Sequence, residues 1–284
     1  MIFPGYQPVA NSPPSPETLT LQLDYTKIHR QTCVILKRNL SGDIFAIMSE
    51  TEGGCGMRPL ENGAADDEKI KYLSRRDKKL GEFIARRGKI TVYAYETLFH
   101  ALVSSVIVQQ IATPAAEAIE KRVVSTLGRI TPENFKNVTA DRLKSCGLSA
   151  RKAEYIIGIT KLAYCGQLEF DELDRLSDEE IAERLLKIRG VGRWTVEMIL
   201  MFCFCRQDIT SYGDLAIRRG VMNLYGLKEL TKEKFDRLAK RWSPYGTTAS
   251  LYLWEAAVDS ELEAKRTGKS KTVSNRRGTA LGKD

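Results

Sequence analysis

The chain has 284 residues, of which 43% are hydrophobic and 28% charged, a composition typical of a folded globular protein. No apolar run reaches the roughly 18–20 residues of a membrane span, and the N-terminus lacks the basic start and apolar segment of a signal peptide, so we expect a cytoplasmic protein with no membrane partner. The formal net charge is +8, but residues 265–284 hold seven Lys or Arg against one Asp, so an anionic partner is indicated mainly by the C-terminal tail.

Residues 1–66 are predicted to form a partly disordered extension. Residues 1–17 are rich in Pro, Ser and Asn and favour no regular structure. The segments LTLQLDY, TCVILKR and DIFAIMS have strand-like composition, and SGD at 41–43 favours a hairpin turn, so two or three short β-strands are expected. Residues 51–68 have the composition of a linker.

From residue 67 onward, the start and stop signals of helices predict an all-α body. One helix is predicted over residues 68–88, ending at Gly88. Further helices are predicted to begin at Thr113–Pro114, Thr131–Pro132, Ser149, Ser177 and Thr231, with Ser177 and Glu180 forming a capping box.

Residues 188–198, IRGVGRWTVEM, predict a tight hairpin between two helices. The helix over 178–187 stops near Arg189, Gly190-Val191-Gly192 turns the chain, and the next helix runs from Arg193 to about Cys205. Both glycines permit positive φ and close approach of a partner. The free backbone N–H groups of such a turn suit a phosphate, although a plain interhelical turn has the same pattern.

Asp214 precedes LAIRRG, which begins another helix, so it is predicted to be an N-cap residue. A helix N-terminus also favours the ionised carboxylate. A carboxylate beside a phosphate-binding turn repels the phosphate, so its presence suggests a further role, such as stabilising a cation that develops during a reaction.

The cysteines and histidines do not predict a metal site. None of the six cysteines forms a C-x-x-C pair, and His29 and His100 are the only histidines. We therefore expect no metal, cofactor or disulfide, and buried packing for Cys203 and Cys205.

Several blocks resemble the helix-hairpin-helix (HhH-GPD) DNA glycosylases, in particular the 3-methyladenine DNA glycosylase II type. Besides the hairpin block, they are YLSRRDKKLGEFI (72–84), IVQQIATPAAEAIEKR (107–122), CGLSARKAEYI (146–156), SYGDLAIRRG (211–220) and RWSPYGTTASLYLW (241–254). The resemblance covers roughly residues 67–260. It implies two helical lobes with the active cleft between them: a terminal lobe of residues 67–97 and 207–262, and a central lobe of residues 98–206. A flexible basic tail, residues 263–284, would follow.

The resemblance implies base excision, in which a damaged nucleotide is flipped out of duplex DNA and its N-glycosidic bond is hydrolysed. Asp214 matches the catalytic aspartate, which would stabilise the oxocarbenium-like sugar and orient the attacking water. Trp194, Met198 and Trp254 match the substrate pocket, although large aromatics also favour core packing. Alkylated purines are cations that stack well on indoles, so 3-methyladenine and 7-methylguanine are the expected substrates.

The resemblance also implies which chemistry is missing. Family members that cut the DNA backbone carry a Schiff-base lysine where this chain has Trp194. We therefore predict a monofunctional glycosylase without lyase activity. The iron–sulfur cluster of the endonuclease III-like branch is not expected, because no cysteine follows Cys205.

The predicted DNA contacts are the hairpin residues Gly190, Val191, Gly192 and Arg193 together with Gln109 and Gln110. The two glutamines match a loop that fills the gap left by the flipped nucleotide, although polar surface at a helix end is the alternative. Family hairpins often hold a monovalent cation through backbone carbonyls, here those of Ile188 and Val191. Two residues depart from the family pattern: Arg189 replaces a common proline, and Gly246 a larger, often basic residue.

The expected partner is double-stranded DNA with damaged bases, bound by a monomer. Two alternatives stay open: a glycosylase for deaminated or oxidised bases, and a non-catalytic helix-hairpin-helix DNA-binding protein. Asp214 disfavours the second, because pure DNA binding favours a neutral or basic residue there.

Overall fold

The computed structural model describes residues 36–38, 44–46, 57–59, 67–90, 92–111 and 113–259, with 264 and 267 as single helical positions. The expectations for residues 1–17, the segment LTLQLDY and the turn at 41–43 lie outside the described residues, as does the basic tail apart from positions 264 and 267. In chain order the described elements are β1 (Leu36–Arg38), β2 (Ile44–Ala46), β3 (Met57–Pro59), α1 (Asp67–Arg76), α2 (Lys78–Arg87), β4 (Tyr93–Tyr95), α3 (Leu98–Val108), α4 (Thr113–Leu127), α5 (Pro132–Phe135), α6 (Ala140–Ser145), α7 (Ala150–Tyr164), α8 (Phe170–Asp174), α9 (Asp178–Leu185), α10 (Arg193–Phe202), α11 (Leu215–Tyr225), α12 (Lys232–Trp242) and α13 (Gly246–Val258).

The fold is mainly α-helical, as expected, with a small β component. Strands β1 and β2 pair antiparallel, Leu36 opposite Ala46, within the two segments predicted to form a hairpin. Strand β3 pairs antiparallel with β4, Met57 opposite Tyr95. Neither β3, within the predicted linker, nor β4, within the predicted helical body, was expected, because three residues are too short for a periodic pattern and their pairing is non-local.

The predicted helix over 68–88 is wrong in one respect, because it is divided at Asp77. Asp77 is extended, and its Oδ1 accepts a hydrogen bond from the N–H of Leu80, which begins α2. Its Oδ2 accepts hydrogen bonds from the Tyr225 hydroxyl and from Trp242 Nε1. This buried carboxyl ties the α1–α2 junction to α11 and α12, a demand that the local sequence cannot reveal.

Most of the other predicted helix starts are confirmed. Thr131, Ser149 and Thr231 each accept a hydrogen bond from the backbone N–H three residues later, and Ser177 forms the capping box with Glu180. Helix α4 begins at Thr113 itself, one residue earlier than the pattern predicts. Helix α10 ends at Phe202, before Cys203 and Cys205, rather than near Cys205.

Several helix contacts join segments that are far apart in sequence. Helices α1 and α2 contact α11, α12 and α13, and α3 packs against α4, α7 and α10. The division into two lobes and its boundaries stay a prediction. Among the described residues, no helix combines the length and apolar character needed to cross a membrane.

Helices α11 and α13 approach each other closely at Gly220. A Cβ at position 220 would lie 1.8 Å from the carbonyl oxygen of Leu253, so only glycine lets the two backbones approach in this way. This contact brings the start of α11, with Asp214, within reach of Trp254 on α13.

Candidate active site and nucleic-acid interface

Asp214 caps α11 from an extended backbone, and its Oδ1 accepts a hydrogen bond from the N–H of Ile217 at 2.8 Å. Its side chain is fully buried. Desolvation raises the pKa of the carboxyl, whereas hydrogen bonds from Trp194, Ile217 and Trp254 act to lower it. The capping role is as predicted, but an ordinary N-cap residue lies at the surface, so this carboxyl is unusual.

Two indoles bracket the Asp214 carboxylate. Trp194 on α10 donates its Nε1–H to Oδ2 at 2.9 Å, and Trp254 on α13 donates its Nε1–H to Oδ1 at 3.1 Å. Trp254 is buried and stacks on Phe202, with ring centroids 5.8 Å apart, while Trp194 is half-buried. The structure therefore assigns the indole edges to the carboxylate, a role that the sequence analysis missed. The stacking of their faces on a base stays a prediction.

Met198 lies on α10 one turn after Trp194, and its side chain is buried in the hydrophobic core. Because Trp194 and Met198 share one face of the helix, the pocket assignment is geometrically consistent. It stays a prediction, since core packing accounts for the same burial.

Two further polar residues join the site, and sequence analysis singled out neither. Ser211 accepts a hydrogen bond from the N–H of Asp214 at 3.2 Å and donates its own hydroxyl hydrogen to the carboxylate of Glu197. Burial raises the pKa of Glu197. The signals were present in the quoted blocks: Glu197 stands three residues after Trp194 on α10, and Ser211 three residues before Asp214.

The predicted hairpin connects α9 and α10, but its two glycines differ. Gly190 has φ +93°, and a Cβ there would lie 2.3 Å from the Tyr155 ring. Gly192 has φ −103°, so the positive φ that its glycine permits is not used there. Gly192 serves instead as the N-cap of α10, without a side-chain cap on the helix. The first N–H groups of α10 therefore lack a side-chain acceptor from the cap and suit an anion.

Two arginines lie on the exposed side of the hairpin. The side chain of Arg193, the first residue of α10, is 86% exposed and has its Nε 3.5 Å from Glu197 Oε1. Arg189 is 77% exposed, lies 3.4 Å from Glu154 Oε2, and stacks its guanidinium over the ring of Tyr155. Arg189 therefore packs against α7 where many family members have proline, and its cation remains accessible to phosphate.

The two glutamines predicted to fill the gap left by the flipped nucleotide have different surroundings. Gln109 is half-buried, and its Nε2 donates to the carbonyl of Gly190 at 2.9 Å. Gln110 is exposed and has φ +57°, an uncommon conformation for a non-glycine residue. Gln109 thus ties the end of α3 to the hairpin, and Gln110 is the better candidate for insertion into DNA.

Residues 103–244 match the model of the HhH-GPD superfamily of base excision DNA repair proteins. The chain belongs to this superfamily. This match confirms the predicted resemblance to the helix-hairpin-helix DNA glycosylases and the predicted helical fold class.

This HhH-GPD protein is 35% identical to DNA-3-methyladenine glycosylase 1 of Schizosaccharomyces pombe, over 63% of this chain and 79% of that protein. It is similar to a crystal structure of a DNA-3-methyladenine glycosidase from Bacillus halodurans, with TM-score 0.63 and 35% identity over 74% of this chain and 96% of the other. It is also similar to the S. pombe 3-methyladenine DNA glycosylase Mag1 in complex with abasic DNA, with TM-score 0.59 and 32% identity over 66% and 95% of the two chains.

The hairpin carbonyls are compatible with the monovalent cation implied by the HhH-GPD resemblance. The carbonyl of Ile188 accepts the N–H of Val191 at 3.0 Å, which closes the turn. A carbonyl oxygen has a second lone pair, so this bond leaves coordination capacity at Ile188. Both residues are buried and hold the turn against the core, and the cation stays a prediction.

The departure at Gly246 has a physical reason in this HhH-GPD chain. The Gly246 N–H, at the start of α13, donates to Asp208 Oδ1 at 3.0 Å. A Cβ at position 246 would lie 2.8 Å from that same oxygen. Asp208 therefore caps α13, the helix that carries Trp254, and a larger residue at 246 would displace it.

Proposed function

We propose that this HhH-GPD protein is a monofunctional DNA glycosylase that flips an alkylated purine, of the 3-methyladenine or 7-methylguanine type, out of duplex DNA and hydrolyses its N-glycosidic bond. It acts as a monomer on double-stranded DNA in the cytoplasm and needs no cofactor. The names of the S. pombe and B. halodurans relatives support the alkylated base, and the abasic DNA bound to Mag1 supports DNA as the partner.

The observation that carries the proposal is the buried carboxyl of Asp214, held by Trp194, Trp254 and the start of α11. When the bond between C1′ and the base nitrogen breaks, its electron pair leaves with the base and positive charge develops on the sugar. A carboxylate in a dry site stabilises that charge far more than one in water. Water then adds to C1′ and loses a proton, which the carboxylate of Asp214 accepts in the proposed reaction.

A cationic substrate resolves the conflict at Asp214. Burial favours the neutral carboxylic acid, as the raised pKa indicates. An alkylated purine brings a positive charge into the site, and a nearby cation favours the ionised carboxylate. The substrate itself thus promotes the reactive state, and its charged base leaves without a general acid. Trp194, the less buried of the two indoles, marks the side from which the nucleotide approaches.

Trp194 also supports hydrolysis without strand cleavage. It occupies the position of the family's Schiff-base lysine, and its indole nitrogen is committed to Asp214 at 2.9 Å. An indole N–H is not a nucleophilic amine. The neighbouring Arg193 is permanently protonated and cannot replace the lysine.

The proposal is tested by incubating the protein with methylated duplex DNA and with duplexes that each contain uracil, hypoxanthine or 8-oxoguanine. We expect free methylated purines only, DNA strands that stay intact until treated with alkali, and no covalent complex upon borohydride reduction. Release of a deaminated or oxidised base alone would assign another lesion class. Tight DNA binding without release of any base would favour the non-catalytic alternative.

A further inference from the structure

A hydrogen-bonded chain connects α10 to the backbone of Asp214. The Glu197 carboxylate accepts the Ser211 hydroxyl, and Ser211 Oγ accepts the N–H of Asp214 at 3.2 Å. Ser211 is fully buried, and the Glu197 side chain is 17% exposed. A serine hydroxyl carries one donor and two acceptor sites, so Ser211 can make both bonds at once.

The position of Glu197 is electrostatically unfavourable unless it serves a purpose. A second carboxylate near Asp214 adds like-charge repulsion, and its partial burial adds a desolvation cost. Arg193 offsets part of this cost with its Nε 3.5 Å from Glu197 Oε1, but the side chain of Arg193 is 86% exposed and its pairing is screened by solvent. An apolar residue would fill the same space at less cost, which points to a role for the acceptor oxygen of Glu197.

Helix α10 holds the turn before α11 at two points. Trp194 binds the side-chain carboxylate of Asp214. Glu197 lies three residues later on the same helical face and holds the backbone N–H of Asp214 through Ser211. Trp194, Trp254 and the N–H of Ile217 hold the carboxylate itself. The bond to Ser211 holds the backbone of Asp214, from which that side chain projects.

We propose that Glu197, acting through Ser211, is a positioning residue that holds Asp214 in its reactive geometry. This inference rests on the proposed catalytic role of Asp214. In this role Glu197 contacts neither the sugar nor the base. It accepts the hydroxyl hydrogen of Ser211 and thereby orients a lone pair of Ser211 Oγ toward the N–H of Asp214.

The test compares Glu197→Leu, Glu197→Gln and Ser211→Ala in single-turnover release of methylated purines and in equilibrium binding to the same duplex. Glu197→Leu removes the acceptor and keeps the bulk, so we expect release to slow about 10- to 100-fold, the scale of a small misplacement of a catalytic group. DNA binding should be no weaker. Glu197→Gln keeps an acceptor oxygen and should stay within about threefold of the wild-type rate.

Ser211→Ala should reproduce the loss caused by Glu197→Leu, and the double variant should be no slower than either single one, because the two residues form one chain. Ser211→Ala removes a single hydroxyl group and serves as the decisive variant if Glu197→Leu does not fold. Glu183→Leu removes an exposed charge from α9 and is the control.

The possible results separate this inference from the proposed function. Wild-type release that depends on Asp214, together with full activity of Glu197→Leu and Ser211→Ala, would overturn the positioning role and leave the function intact. A rate for Glu197→Gln as low as that of Glu197→Leu would overturn the acceptor role. Release that does not require Asp214 would instead remove its proposed catalytic role, and no release of methylated purines by a folded wild type would remove the proposed function.

Discussion

At the scale of single residues, Asp214 is subject to opposing effects on its protonation. Desolvation raises the pKa of its carboxyl, and the N–H donors of Trp194, Ile217 and Trp254 oppose that rise. Because the carboxylate is the proposed reactive form, we expect kcat/KM to fall with decreasing pH at a higher pH than for an ordinary aspartate. The fall of kcat with decreasing pH should occur at a lower pH than the fall of kcat/KM, because a bound cationic base favours ionisation of the carboxyl.

This prediction is checked by following release of methylated purines from pH 4 to pH 9, with spontaneous loss of bases subtracted. Rates that stay constant down to the pKa of an exposed aspartate would contradict it.

The indole of Trp194 has two separable properties, its N–H group and its face. Trp194→Phe keeps an aromatic face but removes the donor to Asp214 Oδ2. Loss of a hydrogen bond to the charged form raises a pKa further. We therefore expect the acidic limb of kcat/KM to move to higher pH in Trp194→Phe, whereas Trp194→Ala should also weaken binding of the damaged base. An unchanged limb in Trp194→Phe would show that the N–H group is irrelevant.

At the scale of elements, the hairpin offers a matched pair of glycine substitutions. Gly190→Ala places a methyl group against the Tyr155 ring at positive φ. We expect it to cost roughly 1–3 kcal/mol of folding free energy and to weaken binding to damaged and undamaged duplexes alike, because phosphate contacts carry no sequence information. Gly192→Ala meets no atom within 4 Å and has an ordinary φ, so thermal stability should be retained.

Thermal unfolding and duplex affinity of both variants check these expectations. Weaker binding by a stable Gly192→Ala protein would locate the phosphate at the start of α10. A loss confined to damaged duplexes in Gly190→Ala would contradict the phosphate-binding role.

The contact between α3 and α4 contains a buried glutamate and borders the loop of Gln109 and Gln110. Burial raises the pKa of Glu120 to about 8, and its Oε1 accepts the Ser104 hydroxyl at 3.1 Å. Because the folded state binds the proton more tightly, the stability due to Glu120 is complete below the unfolded pKa, near 4.5, and is lost as pH rises to about 8.

Glu120→Gln remains neutral and keeps an acceptor for Ser104, so its stability relative to wild type should rise across this pH window, by roughly 3–5 kcal/mol in total. Unfolding in denaturant at pH 5 and pH 8.5 measures the change, with Glu133→Gln on the exposed side of α5 as the control. A stability difference that is the same at both pH values would contradict the assignment.

The limits of sequence reasoning are also clearest at this scale. Thr131, Ser149 and Ser177 cap helices through N–H groups three residues away, so short patterns predicted them. Asp77 interrupts a helix because of partners on α11 and α12, which no local pattern contains. The contact of Glu197 with Ser211 is likewise set by how α10 packs, so the resemblance singled out Asp214, Trp194 and Trp254 but neither Glu197 nor Ser211.

At the scale of the whole molecule, positive charge is concentrated at the C-terminal end of the sequence. Residues 265–284 contribute +6 of the net +8. Deleting them should reduce the dependence of DNA affinity on salt concentration, because fewer counterions are released on binding, while base release under saturating conditions stays unchanged. Affinity measured from 50 to 200 mM salt checks this, and an unchanged slope would show that the tail does not contact DNA.

The central claim is that a carboxylate at Asp214 drives release of alkylated bases, and the most direct test is chromatography of free bases from methylated duplex DNA with wild type and Asp214→Asn. Duplex affinity and thermal unfolding of both proteins provide the control for folding. We predict release of 3-methyladenine or 7-methylguanine by wild type and none by Asp214→Asn, which should bind DNA at least as tightly because a charge that repels phosphate is gone. Equal release by both proteins, or no release by a folded wild type that binds DNA, would contradict the claim.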